Sequence, residues 1–145
     1  MRRTIRGLLG LVAVVACTAC SDSSSGPSSA ITGSYALITI NGTGLPFVIF
    51  FDQSVIFRVT GGEVTLNSNN TFSGSFTYQE TLTAGQSTTV TETCNGTYAV
   101  NGNSVTFTET TSTTANCGGV YTGTWDGSNT LTVAFDVTLQ AVFRR

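Results

Sequence analysis

Three glutamates fall on positions that a β-strand turns to a single face. Glu80 keeps the parity of Phe76 and Tyr78, Glu92 that of Val90 and Cys94, and Glu109 that of Val105 and Phe107. If these rows face into a barrel, the three carboxylates gather near one mouth. Paired carboxylates can do acid–base work of the kind that cleaves glycosidic bonds, or they can give a binding mouth a polar rim. Arg58, the one basic side chain between the N-terminal arginines and the C-terminus, is placed to pair with one of them. Strand ends are also where bulges shift register and turn such residues to water. The chain has no histidine, which removes the commonest general base and metal ligand. We therefore expect no enzyme, no catalytic residues, no cofactor and no metal site.

Cys94 and Cys117 stand in similar frames, Cys94-Asn-Gly-Thr-Tyr98 and Cys117-Gly-Gly-Val-Tyr121. In an oxidising compartment they are expected to pair. Two strands flanking a third lie about 9.6 Å apart, too far for a bridge that needs roughly 5.5–6 Å between Cα atoms. The loop at 113–119 must therefore fold back to make it. The role would be structural: closing a loop of about 24 residues stabilises by roughly 3 kcal/mol in the chain-entropy model. No Cys-x-x-Cys spacing suggests redox work.

The export argument comes from the N-terminus. Met1-Arg-Arg-Thr-Ile-Arg6 is followed by an apolar run from Gly7 to Ala16 and then by Cys17-Thr-Ala-Cys20-Ser-Asp. A basic head, a short apolar run and a small residue before a cysteine read as an export signal. The run is about half the roughly 20 residues a spanning helix needs. The small-residue-then-Cys ending resembles the lipobox of bacterial lipoproteins, in which the cysteine is lipidated and becomes the new N-terminus. Cys20 is the favoured lipidation site, because cleavage there leaves the even pair Cys94 and Cys117. Cys17 is the alternative, since Val14-Val15-Ala16-Cys17 fits the pattern better. Ser21 to Ser29 holds no large apolar residue and reads as a flexible spacer. The expected layout is a signal at 1–19, a tether at 20–31 and one domain at 32–145, lipid-anchored to a membrane of the bacterial cell envelope. Two or more acyl chains give stable anchoring.

From residue 20 onward three arginines face eight carboxylates, a formal charge of −5, and there is no lysine. A nucleic-acid partner needs a basic face to displace counterions, so that class is excluded. Charged residues are 10% of the chain, so the wet surface must be built from Thr, Ser and Asn.

The period of the domain is two throughout. Phe72, Gly74, Phe76 and Tyr78 alternate with hydroxyls, and one odd-numbered row runs from Leu131 to Phe143. Alternation of this kind marks strands with one buried and one wet face, and no window shows a capped helical period. We expect strands near 33–40, 46–51, 55–60, 63–67, 71–82, 88–100, 104–112, 119–126, 130–135 and 137–144, with a break near Asp136. Asn101-Gly102 marks a two-residue hairpin bringing Tyr98 near Val105, and Gly61-Gly62 marks a turn. Gly96-Thr-Tyr98 and Gly123-Thr-Trp125 make a faint internal repeat, echoed by Gly33-Ser-Tyr35.

Gly33-Ser-Tyr35-Ala-Leu37, Asn41-Gly42 before Leu45-Pro46-Phe47, Leu66 to Phe72 around a polar turn, Gly96-Thr-Tyr98 before an Asn-Gly hairpin, and the final Val142-Phe143-Arg144-Arg145 resemble the lipocalin-like domains of small bacterial lipoproteins. The resemblance spans most of the domain in short motifs, with tyrosine at position 35 where a lipocalin usually has tryptophan. It implies an all-β, antiparallel up-and-down barrel of about eight to ten strands; a two-sheet sandwich uses the same alternation and stays open. A barrel of this size can just enclose one small ligand. A small apolar or amphipathic molecule is therefore one expected partner, with Tyr35, Phe76, Tyr98 and Trp125 as candidate contacts. An envelope protein is the other, met by an exposed face such as Phe47-Val-Ile-Phe-Phe51, which is apolar on both parities. Eight large residues on the inner rows argue for a filled core, with any cavity small, near Gly74 and Gly123, under Trp125.

Overall fold

The computed structural model describes residues 30–112 and 119–145. The elements are β1 (Gly33–Ile40), β2 (Thr43–Gly44), β3 (Phe47–Phe51), β4 (Val55–Leu66), β5 (Thr71–Leu82), β6 (Ser87–Asn101), β7 (Ser104–Ser112), β8 (Val120–Trp125), β9 (Thr130–Ala134) and β10 (Gln140–Arg144). Strands β4 to β10 pair in chain order, β10 pairs with β1, and β1 returns to β4. Leu37 lies opposite Phe143 and Tyr35 opposite Val64. Those two pairings close an eight-stranded antiparallel barrel and exclude the sandwich. β2 and β3 are additions to it.

The core is the set of inward rows. Tyr35, Leu37, Val64, Leu66, Phe72, Phe107, Leu131 and Phe143 are all buried in one cluster. Each such side chain contributes roughly 1.5–3 kcal/mol by leaving water. The outer rows are hydroxyls, paired across strands as in Ser34–Thr65 at 2.7 Å and Thr77–Thr91 at 3.2 Å.

The glycine repeat has a packing cause. Gly96 and Gly123 both face inward, and the space a Cβ would take is filled by a ring from a neighbouring strand, Phe72 over Gly96 and Phe107 over Gly123. Each glycine makes room for an aromatic side chain, which is why the pattern is glycine, hydroxyl, then aromatic. Gly61-Gly62 corrects the expected turn. The two strands foreseen at 55–60 and 63–67 are one strand, β4, with a bulge between Val59 and Gly61. Gly62 lies within the ladder, where an added Cβ would stand 2.8 Å from the Ser75 carbonyl oxygen. At the 101–104 hairpin, Val105 lies opposite Val100 and Tyr98 opposite Phe107, two residues from the expected partner. Ile31, assigned from sequence to the tether, is fully buried in the barrel.

Three aspartates tie turns, including the break at Asp136. One carboxylate oxygen accepts the amides of Thr138 at 2.6 Å and Leu139 at 2.8 Å. Asp52 does the same for Ser54 and Val55, and Asp126 for Ser128 and Thr130. These bonds hold all three below the usual carboxylate range. The leading cause is the Ser54 amide for Asp52, the Thr130 amide for Asp126 and the Thr138 hydroxyl for Asp136. A depressed folded-state pKa adds stability above the unfolded value of about 3.9, which is lost as pH falls through the folded value. Urea midpoints are therefore expected to stay level from pH 7 to 5 and to drop below pH 4. In an Asp52→Asn/Asp126→Asn/Asp136→Asn variant that acid drop should shrink, and an unchanged drop would refute the assignment.

Candidate functional site

The two ends of the barrel differ. At the base, the Tyr35 hydroxyl donates to the Ile31 carbonyl at 2.7 Å and the Tyr98 hydroxyl to the Asn67 carbonyl at 2.7 Å. Burial raises both phenols above their ordinary range. The Trp125 indole N–H meets no acceptor at full hydrogen-bond geometry. For Tyr35 the Arg145 charge and, to a lesser extent, the Trp125 indole offset part of that rise. Arg145 covers this end. It donates to the carbonyls of Ala30, Thr32 and Ser128 and stands 5.3 Å from the centre of the Tyr35 ring.

The other end is open. β1 and β4 pair only through Gly33–Ala36 and Glu63–Leu66. Bulges at Ile38 and Thr60 then bend the two strands apart, as bulges do by raising local twist. β3 takes the freed edge of β4, with Phe47 opposite Val59 and Phe50 opposite Phe57. The far ends of β4, β5 and β6 continue outward, leaving Leu82 and Val90 exposed.

A recess of about 180 Å³ lies in this mouth, walled by Ile40, Ile49, Val59, Tyr78, Leu139 and Ala141, with Phe76, Tyr121 and Phe135 as its floor. The same three floor residues roof a deeper cavity of about 40 Å³ beside Gly74 and Glu109. Phe135 makes edge contacts with Phe76 and Tyr121, at ring separations of 5.4 and 5.2 Å, and so partitions the two spaces. Phe57 stacks on Tyr78 at 5.4 Å, extending the aromatic wall outward.

The three carboxylates foreseen together at the mouth share the inner parity but stand at different heights, and none of them lines the recess. Glu109 lines the inner cavity and accepts the Tyr121 hydroxyl at 3.1 Å. Glu92 lies directly opposite Phe76. Burial raises the Tyr78 phenol, and the Glu92 charge adds to the rise. Glu80, opposite Phe57, is exposed. Arg58 pairs with none of them. Its neighbour Phe57 faces inward, so Arg58 faces outward and donates to the Thr81 hydroxyl at 3.3 Å. Among the described residues no group of three potential ligands could hold a metal ion.

No known family model matches the chain, and no curated protein sequence matches it.

Of the four candidate contacts, Phe76 lines both spaces, whereas Tyr35, Tyr98 and Trp125 close the base. Of the small cavity expected near Gly74 and Gly123, under Trp125, the part beside Gly74 is present, whereas Phe107 fills the space at Gly123 and Trp125 does not line it. Ile40, Val59, Leu139 and Ala141 were missed as site residues. Leu139 and Ala141 continue the odd-numbered row from Leu131, whereas Ile40 turns inward only past the bulge at Ile38, and the divergence of β1 and β4 opens these residues into a recess. Cys94 is buried. Its expected partner Cys117 lies outside the described residues, as do Cys17 and Cys20.

Proposed function

We propose that the protein is an exported lipoprotein, tethered to a membrane through Cys20 or, failing that, Cys17, whose barrel takes a small apolar or amphipathic molecule into its mouth. The recess carries the ligand reading. An apolar cavity of about 150 Å³ is enough to admit a benzene-sized group, and this recess is of that order while the interior behind it is packed. The chain enters the barrel at its base, where Ala30 and Ile31 sit under Arg145, so an N-terminal anchor would join the barrel at the end opposite the mouth. Mass spectrometry of the mature N-terminal peptide tests the anchor; a start elsewhere or an unmodified cysteine refutes it. A Cys94–Cys117 bridge belongs to the proposal, and a non-reducing peptide map should return the two cysteines in one linked fragment.

The ligand reading is tested with an uncharged lipophilic dye whose emission rises in apolar surroundings. Saturable binding is expected. Ile49 is half exposed and lines the recess, so Ile49→Trp should block the mouth without disturbing the core and weaken the dye at least about tenfold, or ~1.4 kcal/mol. Absence of binding by the folded wild type would refute the reading.

A second reading rests on β3. Among the described residues it is an edge strand paired with β4 alone, it carries no charge, and Phe51 is 75% exposed. Such an edge is a template for strand addition by another chain. If Phe51→Lys leaves dye binding intact but abolishes an association seen by sedimentation, the interaction reading takes precedence.

A further inference from the structure

We propose that Asn101 is a site of spontaneous deamidation, where the amide nitrogen of Gly102 closes on the Asn101 side chain and converts it to aspartate and isoaspartate. This is independent of the ligand reading of the recess.

The chemistry is intrinsic to asparagine followed by glycine. The Gly102 amide nitrogen gives its proton to hydroxide or water and attacks the side-chain carbonyl carbon of Asn101. A new C–N bond closes a cyclic imide, and the side-chain amide takes up a proton and leaves as ammonia. Water then adds to one of the two imide carbonyls and reopens the ring, to aspartate or to isoaspartate according to which carbonyl it meets. The balance is a water taken up and an ammonia released, with no oxidation or reduction. The step needs an asparagine side chain that is not held and a following peptide that can rotate.

The chain carries three such pairs, Asn41-Gly42, Asn95-Gly96 and Asn101-Gly102, and the fold treats them differently. The Asn41 side chain is held at both ends: Nδ2 donates to the Thr138 carbonyl at 2.9 Å and Oδ1 accepts the Gln140 amide at 2.9 Å. Gly96 is held inside the sheet, opposite Phe72 on one side and Glu109 on the other. The Phe72 ring and the Thr108 carbonyl fill the space beside it, so the Asn95–Gly96 peptide cannot swing while the ladder is intact. Asn101 has neither restraint. It is exposed at the tip of the β6–β7 hairpin. Among the described residues no hydrogen bond reaches its side chain, and the Gly102 amide donates none. Gly102 has a φ of 60° and nothing within 4 Å of its Cβ position, so the peptide before it rotates without meeting another group. Conversion lays a carboxylate on this turn of the base. Isoaspartate also adds a backbone carbon beside the Asn101–Ser104 pair, next to Asn103, whose carbonyl accepts the Trp125 amide at 2.8 Å.

The test incubates the folded protein at mildly alkaline pH, beside a sample unfolded in concentrated urea, and follows each pair by peptide mapping with mass spectrometry. In the folded protein Asn101 is expected to convert about tenfold or more faster than Asn41, because releasing the Asn41 side chain breaks two hydrogen bonds of ordinary net strength. It should outpace Asn95 as well, since that pair reacts only when the strands part locally. In urea the three rates should draw together. A folded-state rate at Asn101 no faster than at Asn41 or Asn95 would overturn the assignment. So would the same order of rates in urea, since the selection would then lie in the neighbouring residues and not in the fold. Asn101→Gln should abolish isoaspartate in the hairpin peptide and leave the other two pairs unchanged; isoaspartate persisting in that peptide would overturn the choice of Asn101.

Discussion

Gly96→Ala is expected to lower the unfolding free energy by about 3 kcal/mol or more, the upper range for overpacking a filled core. For a domain whose total stability is of the order of 5–15 kcal/mol, that is a large share. An ideal Cβ on Gly96 would collide with the Thr108 carbonyl oxygen, and it would stand 2.7 Å from Cε1 of Phe72 and 2.9 Å from the Glu109 Cα. Two of those three atoms are backbone in the paired strand β7, so the ladder itself must move. Phe72 cannot yield easily either, because it packs edge-on against Phe107 at 5.2 Å. Gly61→Ala is the matched control. It sits in strand β4 with nothing within 4 Å of its Cβ position, and it should be neutral or stabilising by up to about 0.5 kcal/mol through loss of unfolded-chain entropy. Urea unfolding of the two variants beside the wild type decides the point. A loss under about 1 kcal/mol for Gly96→Ala would mean that the close approach of Phe72 and the β7 backbone is not the reason for the glycine.

Arg145→Ala should cost about 2 kcal/mol, more than a surface arginine usually does. The guanidinium donates to three backbone carbonyls, from Nη2 to Ala30 at 2.6 Å and Ser128 at 2.8 Å, and from Nη1 to Thr32 at 2.8 Å. It also covers Tyr35, which is fully buried. Hydrogen bonds to a charged donor contribute roughly 1.5–3 kcal/mol each when shielded, and exposure reduces that here. The three carbonyls belong to the segment entering the barrel and to the β8–β9 turn, so one side chain joins the first and last parts of the domain. Arg145→Lys should recover less than half of the loss, because an ammonium lacks the planar fork that reaches carbonyls on both sides. Full recovery by lysine would reduce the role to charge alone. Amide exchange should localise the effect, with Ile31, Thr32 and Ser128 losing protection before the strands do.

Removing the partition has a readable outcome as well. Phe135→Ala joins the recess to the inner cavity. It should cost stability on the order of 3 kcal/mol, as Phe-to-Ala changes in cores do, yet strengthen binding of longer apolar chains relative to shorter ones. Unchanged chain-length preference in the folded variant would show that the two spaces do not communicate.

Much of the barrel was legible along the chain because strand periodicity is local. Successive side chains alternate by covalent geometry, so Phe72 to Tyr78, Leu131 to Phe135 and Leu139 to Phe143 announce their inward rows without reference to partners, while Val137 of the same parity is fully exposed in the turn between β9 and β10. Turn chemistry is equally local, and Asn101-Gly102 and the break at Asp136 were readable for that reason. The glycines were harder. Gly61-Gly62 has the composition of a turn, but Gly62 is inside the ladder because Leu37 and Phe76, distant in sequence, converge on it. The four candidate contacts fared unevenly for a similar cause. Parity places Tyr35, Phe76, Tyr98 and Trp125 on one face, yet parity carries no information about height along the barrel, and height separates a base residue from a mouth residue.

What the sequence determined by itself is the set of inward and outward rows, the turns between them, the acidic balance, and the glutamates that share the inner parity. These follow from side-chain chemistry and from a two-residue repeat that each strand sets alone. What only the tertiary structure decided is closure through β1, β10 and β4, the packed base under Arg145, and the recess at the mouth. Closure depends on register between strands more than a hundred residues apart in the chain. The recess exists because two bulges, each a small local event, part β1 from β4 at one end and not the other.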